Sequence, residues 1–267
     1  MKQLLFIVYF ALNLTLIQAQ VTTPTSTTAT ETKREYYFSW GYNKEWYTPS
    51  TIHVVQPSLG NDFKLIKAQG HDRIGWDKLL KRPLTVPQYN YRLGFFFKKN
   101  TSLGFEINFD HTKYITTRGQ MVRWQGTING QQVSYDSVTT RQNFDYNLNN
   151  GANFFCFNIV KRFKNYEAPH KQWFVLHTLL KAGAGPVVPH VENTILGNDN
   201  KSHFQLGGFD IGLEMTLKAT FFKHVYLEFC QKGVYANYFG LRIYEGTARQ
   251  QFFAYEVIAN LGFITKF

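Results

Sequence analysis

The sequence is poor in the residues and motifs on which many well-defined catalytic sites depend. It has two cysteines, Cys156 and Cys230, and it has no C-x-x-C pair and no H-E-x-x-H segment. The ligand spacings typical of zinc sites are therefore absent. It also lacks a G-x-S-x-G segment and a P-loop, so neither a nucleophile elbow nor a phosphate-binding loop is indicated. Any function has to be inferred from patterning along the chain.

Long apolar runs are equally scarce. One run, from Leu4 to Ile17, follows Lys2 and predicts a secretory signal peptide over residues 1–20. It is shorter than the roughly 20 apolar residues that a spanning helix needs, which leaves a signal anchor as the alternative. Residues 21–35 are rich in threonine and have no aromatic residue, so we expect a disordered leader.

Aromatic residues are abundant, at 17% of the chain, although the mean hydropathy is −0.29. The aromatic residues must therefore alternate with polar ones, as in a sheet whose two faces meet different surroundings. The C-terminal segment shows this alternation most clearly, and Glu256, Asn260 and Lys266 lie on its other face. Its apolar face carries Phe253, Tyr255, Val257, Ala259, Leu261, Phe263 and Phe267. This length and pattern are typical of a strand that crosses a bacterial outer membrane.

Seven further segments have the same two-faced pattern, so residues 36–267 predict an all-β, eight-stranded antiparallel up-and-down transmembrane β-barrel. These seven segments are residues 36–48, 89–98, 102–115, 144–163, 171–187, 203–219 and 222–238, and the C-terminal segment is the eighth. The connections alternate between short turns and longer loops, as periplasmic turns and extracellular loops do. The predicted turns are 98–102, 164–171 and 220–223, and the predicted loops are 49–88, 116–143, 188–202 and 239–249. A soluble β-sandwich is the alternative fold.

Strand parity predicts a polar barrel interior. The residues expected to point inward are Arg92, Glu106, Asn108, Asp110, Asn158, Arg162, Asp210, Glu214, Glu228, Lys232, Glu256 and Asn260. Eight strands enclose a space that side chains can fill, so we expect a hydrogen-bonded core, and a pore is disfavoured. Cys156 and Cys230 also fall on the inward face of non-adjacent strands, where we expect two free thiols.

The net charge of +11 indicates an anionic partner. After export, that partner is outer-membrane lipid and lipopolysaccharide, and no nucleic acid is expected. The basic residues near the loops are Lys78, Lys81, Arg82, Lys113, Arg118, Arg123 and Arg141. A simply solvated set of loops is the alternative interpretation of the same charges.

Two of the predicted loops contain strand signals. The first includes a strand-like piece, Asp62 to Gln69, and we expect that loop to fold over the barrel mouth as a lid or platform. The second places Asn129-Gly130 between two alternating segments, which is the strongest short-range hairpin signal.

Three segments are expected at the same level of the barrel, at the extracellular strand ends. They are FEINFDHTKY at 105–114, NLNNGANFF at 147–155 and GAGPVVPHVEN at 183–193. In this order, they resemble the outer-membrane lipid A oxidase-like barrels. That resemblance implies oxygen-dependent oxidation of the proximal glucosamine of lipid A, with His111, His190 and Glu192 as the catalytic candidates. The sequence leaves the cofactor unknown, and a metal ion is expected only if that activity holds.

The sequence departs from that family at two places. Asn150 stands where the family has a histidine, and the segment from Ala248 to Phe253 lacks the histidine found there. In addition, strand parity turns His111 outward, towards lipid head groups, where it is expected to anchor the interface. Two functions therefore remain: a non-catalytic surface protein or accessory subunit of an outer-membrane protein complex, which we favour, and a lipid A-modifying enzyme.

Overall fold

The computed structural model describes residues 33–73, 88–169 and 173–267. The predicted signal peptide, most of the predicted leader and three of the basic loop residues, Lys78, Lys81 and Arg82, lie outside these ranges. Within the described residues, no helix is long and apolar enough to cross a membrane.

The described chain is built almost entirely from β-strands, because its residues alternate between two faces. The strands are β1 (Glu35–Tyr47), β2 (Ser50–Gln56), β3 (Asn61–Ala68), β4 (Gly70–His71), β5 (Tyr89–Phe96), β6 (Leu103–Asp110), β7 (Tyr114–Thr116), β8 (Met121–Ile128), β9 (Gln131–Val138), β10 (Phe144–Leu148), β11 (Phe154–Glu167), β12 (Phe174–Pro186), β13 (His190–Ile195), β14 (Asn198–Asp199), β15 (His203–Phe204), β16 (Gly208–Phe221), β17 (Val225–Ile243) and β18 (Gly246–Lys266).

Eight of these strands close into a barrel. They follow one another in the order β1, β5, β6, β11, β12, β16, β17 and β18, each antiparallel to the next, and β18 pairs with β1 to complete the ring. The closing pairs run from Glu35↔Lys266 to Tyr47↔Ala254. The predicted all-β, up-and-down antiparallel barrel is confirmed, and the closed ring leaves none of its strands as an open edge.

Some predicted boundaries were wrong. The loop predicted over 239–249 is mostly strand, because β17 continues to Ile243 and β18 starts at Gly246. The loop predicted over 188–202 contains β13 and β14. Glu35, assigned to the leader, starts β1 and its carboxylate bonds Arg162. Pairing with neighbouring barrel strands extends β1, β17 and β18 beyond their predicted ends, whereas β13 forms because it pairs with β10 in a separate sheet.

Beyond the barrel ring, the long-loop end carries a second β-structure, here called the headpiece. Its outer sheet consists of the first residues of β18, which pair with β2, followed by β3, β8 and β9. Its inner sheet has the order β14-β13-β10-β7-β4. The strand expected within 62–69 is β3, and the hairpin expected at Asn129-Gly130 joins β8 to β9, with positive φ at both turn residues.

The space between the two headpiece sheets is an apolar core. Phe63, Trp124 and Phe144 are buried in it, and the rings of Phe63 and Trp124 stack with their centroids 5.4 Å apart. At its lower edge, this core reaches Tyr47, Tyr114 and Phe252 over the long-loop end of the barrel. The long first loop therefore extends the barrel wall through β2 and β3 and contributes β4 to the inner sheet.

Candidate functional site

The three segments that resemble the lipid A oxidase-like barrels meet at one junction. Asn153 is at its centre: its side-chain carbonyl bonds Nδ1 of His111 at 2.8 Å, and its side-chain amide donates to the backbone carbonyl of Val188 at 2.9 Å. Backbone bonds add to this contact, since Ala152 donates to Thr112 and His190 donates to Gly151. We call the residues His111–Thr112, Gly151–Asn153 and Val188–His190 the rim junction.

Strand ends place each segment at this junction. β6 ends at Asp110, immediately before His111, and β11 begins at Phe154, immediately after Asn153. β12 ends at Pro186, as the two prolines of the third segment suggest. Asn153 adopts a positive φ of 32°, a conformation that asparagine tolerates better than most residues.

The histidines at the rim junction have different surroundings. The ring of His111 stacks on Tyr89 with a centroid distance of 4.7 Å, on the outward side of the barrel wall. His190 is buried against Phe204, and its Nδ1 has no hydrogen-bond partner within the described residues. Glu192 is exposed, two residues further along β13.

Burial decides the protonation of His111. It lowers the pKa of His111 from 6.5 to about 4, against the opposing effect of the hydrogen bond to Asn153, and the charge of Lys113 lowers the pKa further. The ring is therefore neutral at pH 7, and its Nδ1–H donates to the Asn153 carbonyl oxygen. The pKa of His190 is also lowered, first by burial, while the carboxylate of Glu192 acts in the opposite direction.

The donor set at the rim junction does not fit a metal ion. A metal-dependent oxidation site usually holds its ion with about three protein ligands. The described residues contain no group of three or more His, Cys, Asp or Glu side chains that could hold one. Nδ1 of His111 is already hydrogen-bonded to Asn153, so this contact joins two strand ends and leaves that nitrogen unavailable to an ion.

The barrel interior contains a second cluster of functional groups, centred on Arg92. Its guanidinium contacts Asp110 at 2.9 Å and Glu214 at 3.0 Å, and Glu106 lies 3.9 Å from its Nε. Lys181 bonds Glu106 at 2.8 Å and Glu214 at 3.0 Å. All five side chains are buried. These bonds fill the middle of the barrel with paired charges, as expected for a polar core rather than a pore.

The other predicted inward residues agree with this arrangement. Lys232 pairs with Asp110 and lies 3.9 Å from Glu256. Lys218, which was not among the residues predicted to point inward, is also buried there, 3.5 Å from the ring centroid of Tyr226. Cys156 and Cys230 are buried and free, as predicted, and the thiol of Cys156 donates to Asp210. These contacts organise the interior, while both carboxylate oxygens of Glu256 and the side-chain amides of Asn108 and Asn260 have no hydrogen-bond partner within the described residues.

A third polar group lies on the outside of the headpiece. Arg249, His53, Lys64 and Gln125 are directly paired across β18, β2, β3 and β8, so they form one row across the sheet. Nε of Arg249 donates to Nδ1 of His53 at 2.8 Å, and the other ring nitrogen of His53 contacts Asp62 at 2.6 Å. We call these four residues the basic row. It lies on the same face of β18 as Phe253 and Leu261.

Sequence reasoning missed two of these features. Asn153 lies inside a segment that was singled out, but an asparagine at a strand start gives no signal of which segments it will join. The basic row was missed because it comes from strands far apart in sequence. Of its members, only Lys64 and His53 fall within the long first loop, and cross-strand register cannot be deduced from any single segment.

Comparison with protein-family models and with curated protein sequences found no match. Among solved structures, the chain is similar to Neisserial surface protein A, with 7% identity, a TM-score of 0.33, and coverage of 86% of this chain and 96% of that one.

It is also similar to Ail, the attachment invasion locus protein of Yersinia pestis, in two structures. The one in complex with the heparin analogue sucrose octasulfate has 13% identity and a TM-score of 0.31, and it covers 87% of this chain and 99% of that one. The other has 12% identity, a TM-score of 0.30 and the same coverage. At these scores, the likeness carries no argument about site or partner, and the resemblance to lipid A oxidase-like barrels stays a prediction.

Proposed function

We propose that this chain is a non-catalytic protein of the bacterial outer membrane, in which a filled barrel anchors an extracellular headpiece. The headpiece would act as a surface or accessory subunit of a larger assembly. The observation that carries the membrane assignment is the outward face of the barrel wall. On β16, β17 and β18, from Phe209 to Phe221, Leu227 to Tyr235 and Phe253 to Phe263, no outward-facing residue is charged.

This outward face is far more apolar than water tolerates. The large side chains exposed on it include Leu93, Ile107, Phe157, Ile159, Ile211, Leu213, Leu227, Phe229, Leu261 and Phe263. Soluble monomers rarely expose contiguous apolar patches beyond a few hundred Å². An apolar outer surface around a closed barrel with a polar interior is typical of transmembrane β-barrels.

The test of this assignment has two arms. In detergent, we expect the unboiled folded protein to migrate differently from the boiled protein on a gel, as closed membrane barrels do. On intact cells, protease should cleave the β8–β9 hairpin of the headpiece without cell lysis. A chain that is released in soluble form by cell fractionation would rule out the membrane anchor.

The basic row supports lipopolysaccharide as the lipid partner. From Phe253, at the upper limit of the apolar face, to Arg249 is four residues, or roughly 13 Å along a strand. Arg249 and Lys64 therefore lie beyond the apolar band on the same outward face, where we propose that they meet phosphorylated head groups, which basic residues attract. We expect Arg249→Gln with Lys64→Gln to weaken binding to vesicles of phosphorylated lipid A, while vesicles of dephosphorylated lipid A bind both proteins equally weakly.

Modification of lipid A is the alternative proposal. It is favoured by the meeting of the three segments at the rim junction and opposed by the donor set found there. The mass spectrum of lipid A from aerated cells with and without the protein tests it directly. If His190→Ala cells and wild-type cells contain the same lipid A species, the enzymatic proposal is wrong, whereas a new species that depends on His190 would displace the non-catalytic one.

A further inference from the structure

The outer sheet of the headpiece ends in an open edge. Strand β9 pairs with β8 on one side, from Met121↔Val138 to Ile128↔Gln131, and within the described residues no strand pairs with its other side. An edge of this kind presents a row of unused backbone N–H and C=O groups, which is a template for another strand.

The turn geometry identifies which backbone groups are unused. Asn129 and Gly130 have φ values of 49° and 77°, so the hairpin has a two-residue turn and Ile128↔Gln131 is a hydrogen-bonded pair. Because such pairs alternate along an antiparallel ladder, Gln132, Ser134 and Asp136 direct their backbone groups away from β8. Further along, the carbonyl of Val138 accepts a hydrogen bond from Asn143, which limits the unused stretch.

This edge lacks the features that usually protect one. β9 has neither proline nor lysine, and Asp136 is its single charged residue; natural edge strands commonly use such residues to prevent pairing. The apolar core of the headpiece also ends between β8 and β9. Trp124 on β8 is 1% exposed, whereas Tyr135, opposite it on β9 and stacked on it, is 44% exposed.

We propose that β9 pairs with β9 of a second copy of this chain, antiparallel and centred on Ser134, so that the two outer sheets become one. In this register, Ser134 faces Ser134 of the second copy, and Gln132 faces Asp136. All three residues with unused backbone groups then form hydrogen-bonded pairs. Val133 comes opposite Tyr135, an aromatic and β-branched pair of the kind that stabilises sheets, and it covers the exposed side of Tyr135.

The neighbouring registers are less favourable. Moving the centre to Asp136 places two carboxylates directly opposite each other, which is destabilising. Moving it to Gln132 brings Asp136 opposite Ile128, beyond the turn, so part of the edge finds no partner. Moving the centre by one residue, to Val133 or Tyr135, uses the same backbone groups but leaves one of the three residues without a full partner. Asp136 then faces Gly130 in the turn, or Gln132 faces Val138, whose carbonyl already accepts a hydrogen bond from Asn143. The charge and hydrogen-bond pattern of β9 therefore favours the register centred on Ser134.

This pairing depends on the proposed function in one respect: the headpiece has to be accessible to a second copy of the chain. A single strand edge buries less than the roughly 1,200 Å² at the low end of stable interfaces. We therefore expect a weak association that has to be captured covalently. The two native cysteines do not interfere, because Cys156 and Cys230 are buried in the barrel.

The test is cross-linking by single cysteines in the purified, folded full-length mature protein in detergent micelles. In the proposed register, the two copies of residue 134 have Cα atoms about 5.5 Å apart, within the range that a disulfide spans. Ser134→Cys should form disulfide-linked dimers under mild oxidation. Ser134 is exposed, so this substitution should not disturb folding, and gel mobility without boiling reports the barrel independently.

The matched controls are Gln132→Cys and Asp136→Cys, which are equally exposed on the same strand. Each alone should dimerise at least about tenfold less, because its Cα atoms on the two copies lie four residues, or roughly 13 Å, out of register. A mixture of the two variants should form the mixed dimer. Equal cross-linking at all three positions, or none from Ser134→Cys in a folded barrel, would overturn the pairing while leaving the membrane assignment intact.

Discussion

The barrel and the headpiece share strand β18 but have opposite polarity along it. Along β18, the residues that face the barrel interior include Glu256 and Asn260, and those that face outward include Leu261. Nearer its start, the inward side carries Phe252 and the outward side Arg249. The alternation of faces is unbroken, while the apolar face changes sides between residues 249 and 253. Alternation along a strand shows which residues share a face. Whether that face is polar or apolar depends on what it contacts.

The two regions are consequently held together by different interactions. In the headpiece, apolar side chains leave water, which is the usual driving force of folding. In the barrel, the apolar side chains stay outside, and the interior is organised by ion pairs and hydrogen bonds centred on Arg92. Buried charges are costly unless each one is paired. The barrel should therefore be sensitive to loss of a charge and the headpiece to loss of volume.

The largest effect is expected from Arg92→Met. The substitution leaves Asp110, Glu214 and Glu106 without their shared cation, and breaking a buried pair in this way costs about 3–5 kcal/mol. The measurement is the urea dependence of the folded band on unboiled gels. Arg123→Met is the matched control, since Arg123 is 48% exposed and its pair with Asp136 is loose at 3.4 Å. If both variants lost stability equally, the interior network would not be the main support of the barrel.

Loss of volume in the headpiece is the second test. Ile52 is fully buried in the headpiece core, and truncating a buried isoleucine to alanine typically costs about 2–5 kcal/mol. We expect protease to cleave the headpiece of Ile52→Ala faster and at more sites than the wild-type headpiece, while the barrel keeps its unboiled mobility. A simultaneous loss of both would mean that the regions unfold as one unit. Thr51→Ala, on the adjacent outward position, is the control.

The change of polarity along β18 can be tested by placing one charge on either side of it. Ala259 lies on the outward face within the apolar band, and Gln251 lies on the same face near the basic row. A lysine on the lipid side costs about 2–4 kcal/mol near the bilayer midplane and about 0–1 near its surface. Ala259→Lys should therefore lower barrel stability in bilayers, and Gln251→Lys should be nearly neutral. Equal effects would place the membrane boundary elsewhere.

The extent to which sequence predicted this molecule follows from the same contrast. Alternation correctly predicted that Arg92, Glu106 and Asp110 point inward, because along the barrel wall one face is polar throughout and the other is apolar throughout. Alternation could not place the headpiece, because along β18 it continues with the opposite polarity and along β17 a bulge between Tyr238 and Leu241 interrupts it. Asn129-Gly130 was interpretable because a tight turn depends on local chemistry. Asn153 was not, because its partners His111 and Val188 come from distant segments.

The smallest effect is expected at the rim junction, where the two regions meet. The pKa of His111 is lowered to about 4 in the folded protein, mainly by burial, from 6.5 when it is exposed. The unfolded state therefore binds more protons between these values, so stability from neutral His111 is complete above pH 6.5 and declines as the pH falls towards 4. We expect wild type to lose stability against urea between pH 7 and 4.5, and His111→Gln, which keeps a hydrogen bond to Asn153, to lose less. If the difference in urea stability between wild type and His111→Gln does not change with pH, protonation of His111 is not the cause of the acid sensitivity.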